Sequence, residues 1–320
     1  MRILLTEKRP DGKRRKDLFD TWPHPGKPTG DQILTRTLYS GVTNGTERND
    51  LLGGNYATPD DKLPAPWGYQ NVGEVVEVGP DVTLFKVGDV IFSSANHTEY
   101  ALIPQVWLQV KLPDNVDRRE AALFGMTSVA MRTCRHADIK LGERVLVVGA
   151  GIIGQTAAQI AHCMGARVTI CDVDDKRLAL ARSIGAVEAA VNTGGDGWAK
   201  HIADGSFDVV IDLAGVPGME DKMILACTGR GRLLFIAGRD KVSYTFNIGQ
   251  GREITIRQNS HFDNSDLERL CHLVSTGQVK IKPYLKDVVP VTEAAGIYDK
   301  LRDTPDELLG TVFDWTVLDK

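Results

Sequence analysis

The run Arg144-Val-Leu-Val-Val-Gly-Ala-Gly-Ile-Ile-Gly154 constrains this chain more than any other stretch. Val145 to Val148 form an apolar run of buried-strand type that leads straight into Gly149-x-Gly151-x-x-Gly154. Ile153, Ala157, Ile160, Ala161 and Met164 then recur at helical spacing, and Val168-Thr-Ile-Cys171 ends in Asp172. Strand, glycine turn, helix, strand and acid follow in the order a dinucleotide site requires. Gly149 permits a tight turn, Gly151 lets backbone approach a pyrophosphate, and Gly154 lets the helix pack against the strand. The helix start at Ile152 and Ile153 offers unpaired N–H groups and a positive dipole end to phosphate. Asp172, with Val173 beside it, can accept hydrogen bonds from both adenosine ribose hydroxyls. Its charge repels a 2′-phosphate, which favours NAD over NADP. Lys176 and Arg177 follow closely and are able to hold such a phosphate, so NADP stays open.

With 320 residues there is room for two domains with sizeable cores. A hydrophobic share of 42% and a charged share of 25% are those of an ordinary globular protein. A net charge of −4 without a long basic run gives nucleic-acid binding no electrostatic support. The basic cluster Lys8-Arg9-Pro-Asp-Gly-Lys13-Arg14-Arg15-Lys16 reads as a solvated hairpin tip or loop around Asp11-Gly12. No apolar run reaches the length of a membrane span and the N-terminus lacks a signal-peptide core, so a cytoplasmic protein without a membrane partner is expected. Cys134, Cys163, Cys171, Cys227 and Cys271 form no C-x-x-C pair or zinc module, and reduced, buried thiols are expected.

Residues 1–121 read mostly as short strands and turns: Val72–Val78 alternates, Gly79-Pro80-Asp81 turns, and Phe85–Phe92 returns. Tyr100–Ile103 and Leu108–Leu112 are further strands, and a helix is expected near 118–135. Residues 122–263 alternate strand and helix, with strands at Asp208–Leu213, Gly231–Ala237 and Glu253–Arg257, the pattern of a doubly wound parallel sheet. Ala214-Gly215 and Ala237-Gly238 then fall at the carboxyl edge of that sheet, where ligands bind. Residues 264–320 carry a capped helix through Val274, a helix near 292–302 and a last strand at Gly310–Asp314 suited to rejoin the first domain.

Ser40-Gly-Val-Thr-Asn-Gly-Thr-Glu47, Trp67-Gly-Tyr-Gln-Asn-Val-Gly-Glu74, Val87-Gly-Asp-Val90, Thr98-Glu-Tyr100, Leu141-Gly-Glu-Arg-Val-Leu-Val-Val-Gly149 and Phe207-Asp-Val-Val-Ile-Asp212 resemble the medium-chain dehydrogenase/reductase superfamily over residues 28–316. The resemblance implies an α/β fold: a GroES-like, β-rich catalytic domain at 1–121, a Rossmann doubly wound parallel sheet at 122–263, and a return to the catalytic domain at 264–320. It also implies an active site in the cleft between the domains, contacts of Thr127 and Ser128 with the nicotinamide or its ribose, and a homodimer through the edge strand near 253–257. Zinc members take catalytic ligands at three places that here hold Thr43, Tyr69 and the neighbourhood of Gly125-Met126. None is a usual zinc ligand, and the four-cysteine lobe for structural zinc is missing. The Ser40–Glu47 stretch and the His97-x-Glu99 element resemble the short, zinc-less branch related to bacteriochlorophyllide (hydroxyethyl) dehydrogenases, a branch that also resembles sorbitol and threonine dehydrogenases.

Without a metal, a side chain must take the alcohol proton as hydride leaves to the nicotinamide. Candidates are Tyr69 at the vacated ligand position, His97, Glu47 as orienting or relaying group, and Thr43 as hydroxyl partner of a substrate oxygen. Each has a plainer role: Tyr69 as space filler, His97 as a surface-loop histidine, Glu47 as a carboxylate binding backbone N–H groups. The expected protein is an NAD-dependent dehydrogenase interconverting a secondary alcohol and a ketone on a sugar- or polyol-like small metabolite, without metal. Two alternatives stand beside it: a zinc-less quinone or enoyl reductase acting on C=C bonds, and a nucleotide-binding protein without turnover. Substrate identity would reside in loops 48–66 and 258–264.

Overall fold

The structure is a computed structural model that describes residues 1–305 and 308–319. It separates into two compact units, Met1–Gly125 with Tyr284–Lys320, and Met126–Pro283. In chain order the first unit contains β1 (Ile3–Lys8), β2 (Arg14–Phe19), β3 (Gln32–Gly41), α1 (Asn44–Leu51), β4 (Ala65–Pro66), β5 (Asn71–Val78), β6 (Val90–Ser93), β7 (Tyr100–Pro104), β8 (Gln109–Lys111) and α2 (Arg118–Ala121). Helix α3 (Phe124–His136) runs across the division. The second unit holds β9 (Arg144–Val148), α4 (Ile152–Cys163), β10 (Arg167–Asp172), α5 (Asp175–Ile184), β11 (Ala189–Asn192), α6 (Gly197–His201), β12 (Phe207–Asp212), α7 (Glu220–Ala226), β13 (Cys227–Phe235), α8 (Phe246–Gly251), β14 (Thr255–Arg257) and α9 (Asn264–Ser275). The tail returns to the first unit with β15 (Asp287–Pro290), α10 (Ala294–Asp303) and β16 (Thr311–Asp314).

The second unit is a six-stranded parallel sheet in the order β11-β10-β9-β12-β13-β14. The chain starts at β9, winds outward on one side and then on the other, so the strand order reverses at β9. That reversal is where open α/β sheets take ligands. Its central strands carry apolar runs where both faces are covered: Val145, Leu146, Val147, Val209, Val210, Ile211, Leu233 and Leu234 are all fully buried.

In the first unit β3 is the spine, pairing antiparallel with β5, β7 and the returning β16. Helix α10 presses Ile297, Tyr298 and Leu301 onto a core with Leu4, Val42, Leu51, Phe313 and Trp315. Truncating Leu301 to Ala there would cost about 2–5 kcal/mol.

Three expectations change. The basic cluster is a hairpin, but only residues 9–13 form its solvated turn. Period-two alternation along β2 turns Arg14 and Lys16 inward, where they are 8% and 1% exposed, and leaves Arg15 and Asp17 outside. Helix α9 was expected in the C-terminal return but belongs to the second unit, and the division falls at Pro283. Its N-terminus is tied there by Arg132, 2.7 Å from Asp263, and by Arg135, paired with Asp266. Of the five cysteines, Cys163 is exposed rather than buried, because it lies at the solvent end of α4.

Candidate functional site

At the second unit's carboxyl edge the glycine turn adopts what its sequence requires. Gly149 has φ +101°, a conformation that residues with side chains rarely adopt. A β-carbon on Gly154 would overlap the Gly149 carbonyl, so α4 can lie this close to the turn only with glycine there. Gly151 is the N-cap of α4, carries no side-chain cap, and faces open space within 4 Å of where a β-carbon would stand. The first N–H groups of α4, at Ile152 and Ile153, are thus uncovered by any cap side chain. An anion of pyrophosphate shape fits this cradle.

Asp172 closes the turn from β10. Its Oδ2 accepts the Ala150 N–H at 2.6 Å, and its Oδ1 accepts the N–H groups of Val173 at 2.8 Å and Asp174 at 3.0 Å. The carboxylate is fixed by backbone and retains acceptor capacity for hydroxyl donors. Val173 is 70% exposed at the same edge. The Arg177 guanidinium stands 4.0 Å from Asp172 and 3.6 Å from Asp174, so its charge is already shared between two carboxylates. On the other side of β9, Asp212 Oδ1 accepts the N–H groups of Ala214 at 3.1 Å and Gly215 at 3.0 Å. Its Oδ2 pairs with Arg239, whose Nε donates to the Ala237 carbonyl at 3.2 Å. One buried ion pair therefore shapes both turns, 214–215 and 237–238. Sequence reasoning missed Asp212 and Arg239 as shaping groups; the available signal was an acid ending one strand and a cation just beyond Gly238 after the next. Thr127 and Ser128 are fully buried on α3, and Ser128 Oγ has no hydrogen-bond partner.

In the first unit, Thr43, Glu47, Tyr69 and His97 come together in one hydrogen-bonded network. Thr43 is the N-cap of α1 and is buried; Gln70 Nε2 donates to its Oγ1 at 3.0 Å. The half-buried Tyr69 hydroxyl bonds to the side chains of Thr43 and Thr46. Burial, with help from the Glu47 charge, raises the Tyr69 phenol above its ordinary value, against the pull of these two hydrogen bonds. Glu47 Oε1 accepts the Thr43 N–H at 2.7 Å and lies 3.3 Å from His97 Nε2; Oε2 accepts the Tyr298 hydroxyl at 2.6 Å and lies 3.4 Å from Lys16 Nζ. Burial alone would raise the Glu47 carboxyl, but His97, Lys16 and the Thr43 N–H outweigh it and hold it at about 2. His97 is 1% exposed, so it is not a surface-loop histidine; its Nδ1 meets Ser40 Oγ at 2.8 Å and its ring edge packs on Phe313. Gly68 has φ +111°, and a β-carbon there would strike that ring, so both the backbone conformation and the contact call for glycine.

The donor chemistry at Thr43 and Tyr69 does not fit zinc: a hydroxyl and a neutral phenol replace thiolate and imidazole. Among the described residues, no group of three or more His, Cys, Asp or Glu is placed to hold a metal ion.

Known proteins match both halves. The family described as "Alcohol dehydrogenase GroES-like domain" matches residues 29–113, and the one described as "Zinc-binding dehydrogenase" matches residues 153–276. The chain is 31% identical over 273 residues to an L-threonine 3-dehydrogenase of Streptomyces avermitilis, covering 74% of this chain and 77% of that one. The chain belongs to the medium-chain dehydrogenase/reductase superfamily. Sorbitol dehydrogenase 1 of Saccharomyces cerevisiae is 25% identical over 279 residues, covering 74% of this chain and 78% of its own. The solved structure of 2R,3R-butanediol dehydrogenase from Bacillus subtilis superposes with a TM-score of 0.84 at 18% identity, covering 98% of this chain and 99% of that one. The superfamily's architecture, a GroES-like domain and a Rossmann-like parallel sheet, is what the two units show.

Proposed function

We propose that the protein is a zinc-independent, NAD-dependent dehydrogenase that interconverts a secondary alcohol and a ketone on a sugar- or polyol-like small metabolite. Oxidoreductase chemistry on alcohols is the common ground of its relatives, named for sorbitol, threonine, xylulose and butanediol. One observation carries the finer reading: at the positions where zinc members place ligands, Thr43 and Tyr69 are hydrogen-bonded to each other.

Tyr69 is assigned the proton transfer and Thr43 the second hydrogen bond to the substrate oxygen. A phenol raised above its usual value remains protonated at neutral pH, which suits it to donate a proton to a ketone oxygen. Alcohol oxidation then speeds up as pH rises toward the phenol's titration. His97 and Glu47 orient rather than react, since His97 is enclosed and Glu47 already serves Thr43, His97, Lys16 and Tyr298.

Gly149, Gly151, Ile152, Ile153 and Gly154 would hold the pyrophosphate, Asp172 and Val173 the adenosine ribose, and Ala214, Gly215, Ala237, Gly238 and Thr127 the remainder of the dinucleotide. When bound, NAD supplies the hydride acceptor. Asp172 supports NAD over NADP, and Arg177 is engaged with Asp172 and Asp174. The same proposal includes a homodimer through β14, beside which α8 and the loop before it expose Phe246 and Tyr244. The test is NADH formation from a panel of polyols by chelator-treated enzyme. Turnover that vanishes on chelation and returns with zinc would refute the metal-free reading.

A further inference from the structure

Lys16 lies inside the first unit with its side chain 1% exposed. A buried ammonium is costly unless its charge is met. Its Nζ is 3.4 Å from Glu47 Oε2 and 3.4 Å from Asp50 Oδ2, two carboxylates one turn apart on α1. The rings of Trp67 and Tyr298 lie near it, with centroids 5.1 and 5.2 Å from Nζ. The other groups around the carboxylates are also donors. Arg14 lies 3.3 Å from Asp50 Oδ1, and Thr6 donates to Asp50 Oδ2 at 2.8 Å. Tyr298, His97 and the Thr43 N–H surround Glu47.

The direction of donation around His97 follows from what each atom can do. Trp315 Nε1 can only donate, and it does so to Ser40 Oγ at 2.8 Å. His97 Nδ1 lies 2.8 Å from the same Ser40 Oγ. Facing an ionised carboxylate, which only accepts, His97 Nε2 at 3.3 Å carries the hydrogen and donates to Glu47. Donation thus runs inward to Glu47 from every side. An ionised Glu47 accepts all of it; a protonated one would direct a hydrogen at a donor and give up one contact. Among these contacts is the Thr43 N–H, and Thr43 in turn bonds Tyr69.

We propose that Lys16 is a positioning residue: by keeping Glu47 ionised inside the fold, it fixes Thr43 and, through Thr43, the Tyr69 hydroxyl. Its bearing on turnover rests on the alcohol-handling role given above to Thr43 and Tyr69; the fixing of Thr43 does not.

The experiment compares wild type, Lys16→Met and Lys16→Met with Glu47→Gln by two readouts. The first is hydrogen–deuterium exchange of peptides spanning residues 38–50. The second is kcat/KM for the polyol with a parallel NADH dissociation constant. In Lys16→Met, the α1 N-terminus exchanges about tenfold faster, one hydrogen bond's worth. Its kcat/KM falls about 100-fold, the scale of a small displacement at a reacting group. NADH affinity stays within about twofold, and the activity loss widens as pH is lowered, because Glu47 without the Lys16 charge takes up a proton more readily. The double variant, in which a neutral amide oxygen still accepts from Thr43, recovers most of both losses. A merely structural lysine would lower the unfolding temperature without the pH-dependent loss or the recovery. Wild-type exchange and wild-type kcat/KM in folded Lys16→Met would overturn the proposal. If wild type shows the exchange pattern but no alcohol turnover, the functional reading fails and the fixing of Thr43 stands. Should Lys16→Met not fold, Tyr298→Phe deletes one donor to Glu47 without opening a cavity; no change in either readout there would equally overturn it.

Discussion

The nucleotide edge of the second unit and the charged core of the first solve the same problem by opposite means. Both must hold polar groups in fixed directions. At the nucleotide edge, backbone does so: Gly149, Gly151 and Gly154 free N–H groups, and Asp172 and Asp212 pin the turns by accepting from main chain. In the charged core, side chains do so: Lys16, Glu47, Asp50, His97 and Tyr298 come from four elements or loops and meet out of water. Backbone devices tolerate substitution of neighbours and fail when a glycine gains a side chain. A buried charge network tolerates little, because each missing partner strands another charge.

The largest effect should come from the point where the charged network meets chemistry. Tyr69→Phe removes the proposed proton donor and should lower kcat about 10²–10⁴-fold, the usual worth of a positioned acid, with NADH affinity unchanged. Steady-state kinetics beside fluorescence titration of NADH checks this, and near-normal turnover would break the assignment. Next comes the glycine turn. Gly154→Val should abolish measurable NADH binding and destabilise the second unit by about 1–3 kcal/mol, since a β-carbon overlaps the Gly149 carbonyl. Calorimetric titration and thermal unfolding of the variant measure both.

A smaller change is predicted for Asp172→Ser. It should cost NADH roughly tenfold in affinity, about 1.4 kcal/mol, and narrow the preference over NADPH. Equal wild-type affinity for the two cofactors would contradict the role given to Asp172. Smallest at neutral pH is the acid response. Glu47 is held at about 2, below its unfolded value, so its contribution to stability is full above the unfolded pKa. It is lost as pH falls from about 4.5 through about 2. Denaturant midpoints measured down that range should fall less steeply for Glu47→Gln than for wild type.

How far the sequence could be read follows the same division. The β9–α4–β10 unit was legible because its determinants are local: spacing of glycines, a helical apolar stripe and an acid at a strand end. The family motifs also carried Thr43, Glu47, Tyr69 and His97 to one neighbourhood. What the sequence hid was the partner set. Lys16 looked like one cation among many near the hairpin tip, and only strand register shows that it faces inward. Glu47 and Asp50 share a face of a helix that no strong periodicity announced. Tyr298 and Trp315 reach the network from the returning tail, a pairing that spans most of the chain. Local chemistry leaves local patterns; a network assembled by topology does not.

The most direct measurement is the rate of NAD-dependent polyol oxidation by wild type and Tyr69→Phe after exhaustive chelation, with metal content determined on the same samples. Full wild-type activity in metal-free protein, lost about 100-fold or more in Tyr69→Phe, is the predicted result. Stoichiometric zinc whose removal silences wild type, or a Tyr69→Phe enzyme that turns over normally, would contradict it.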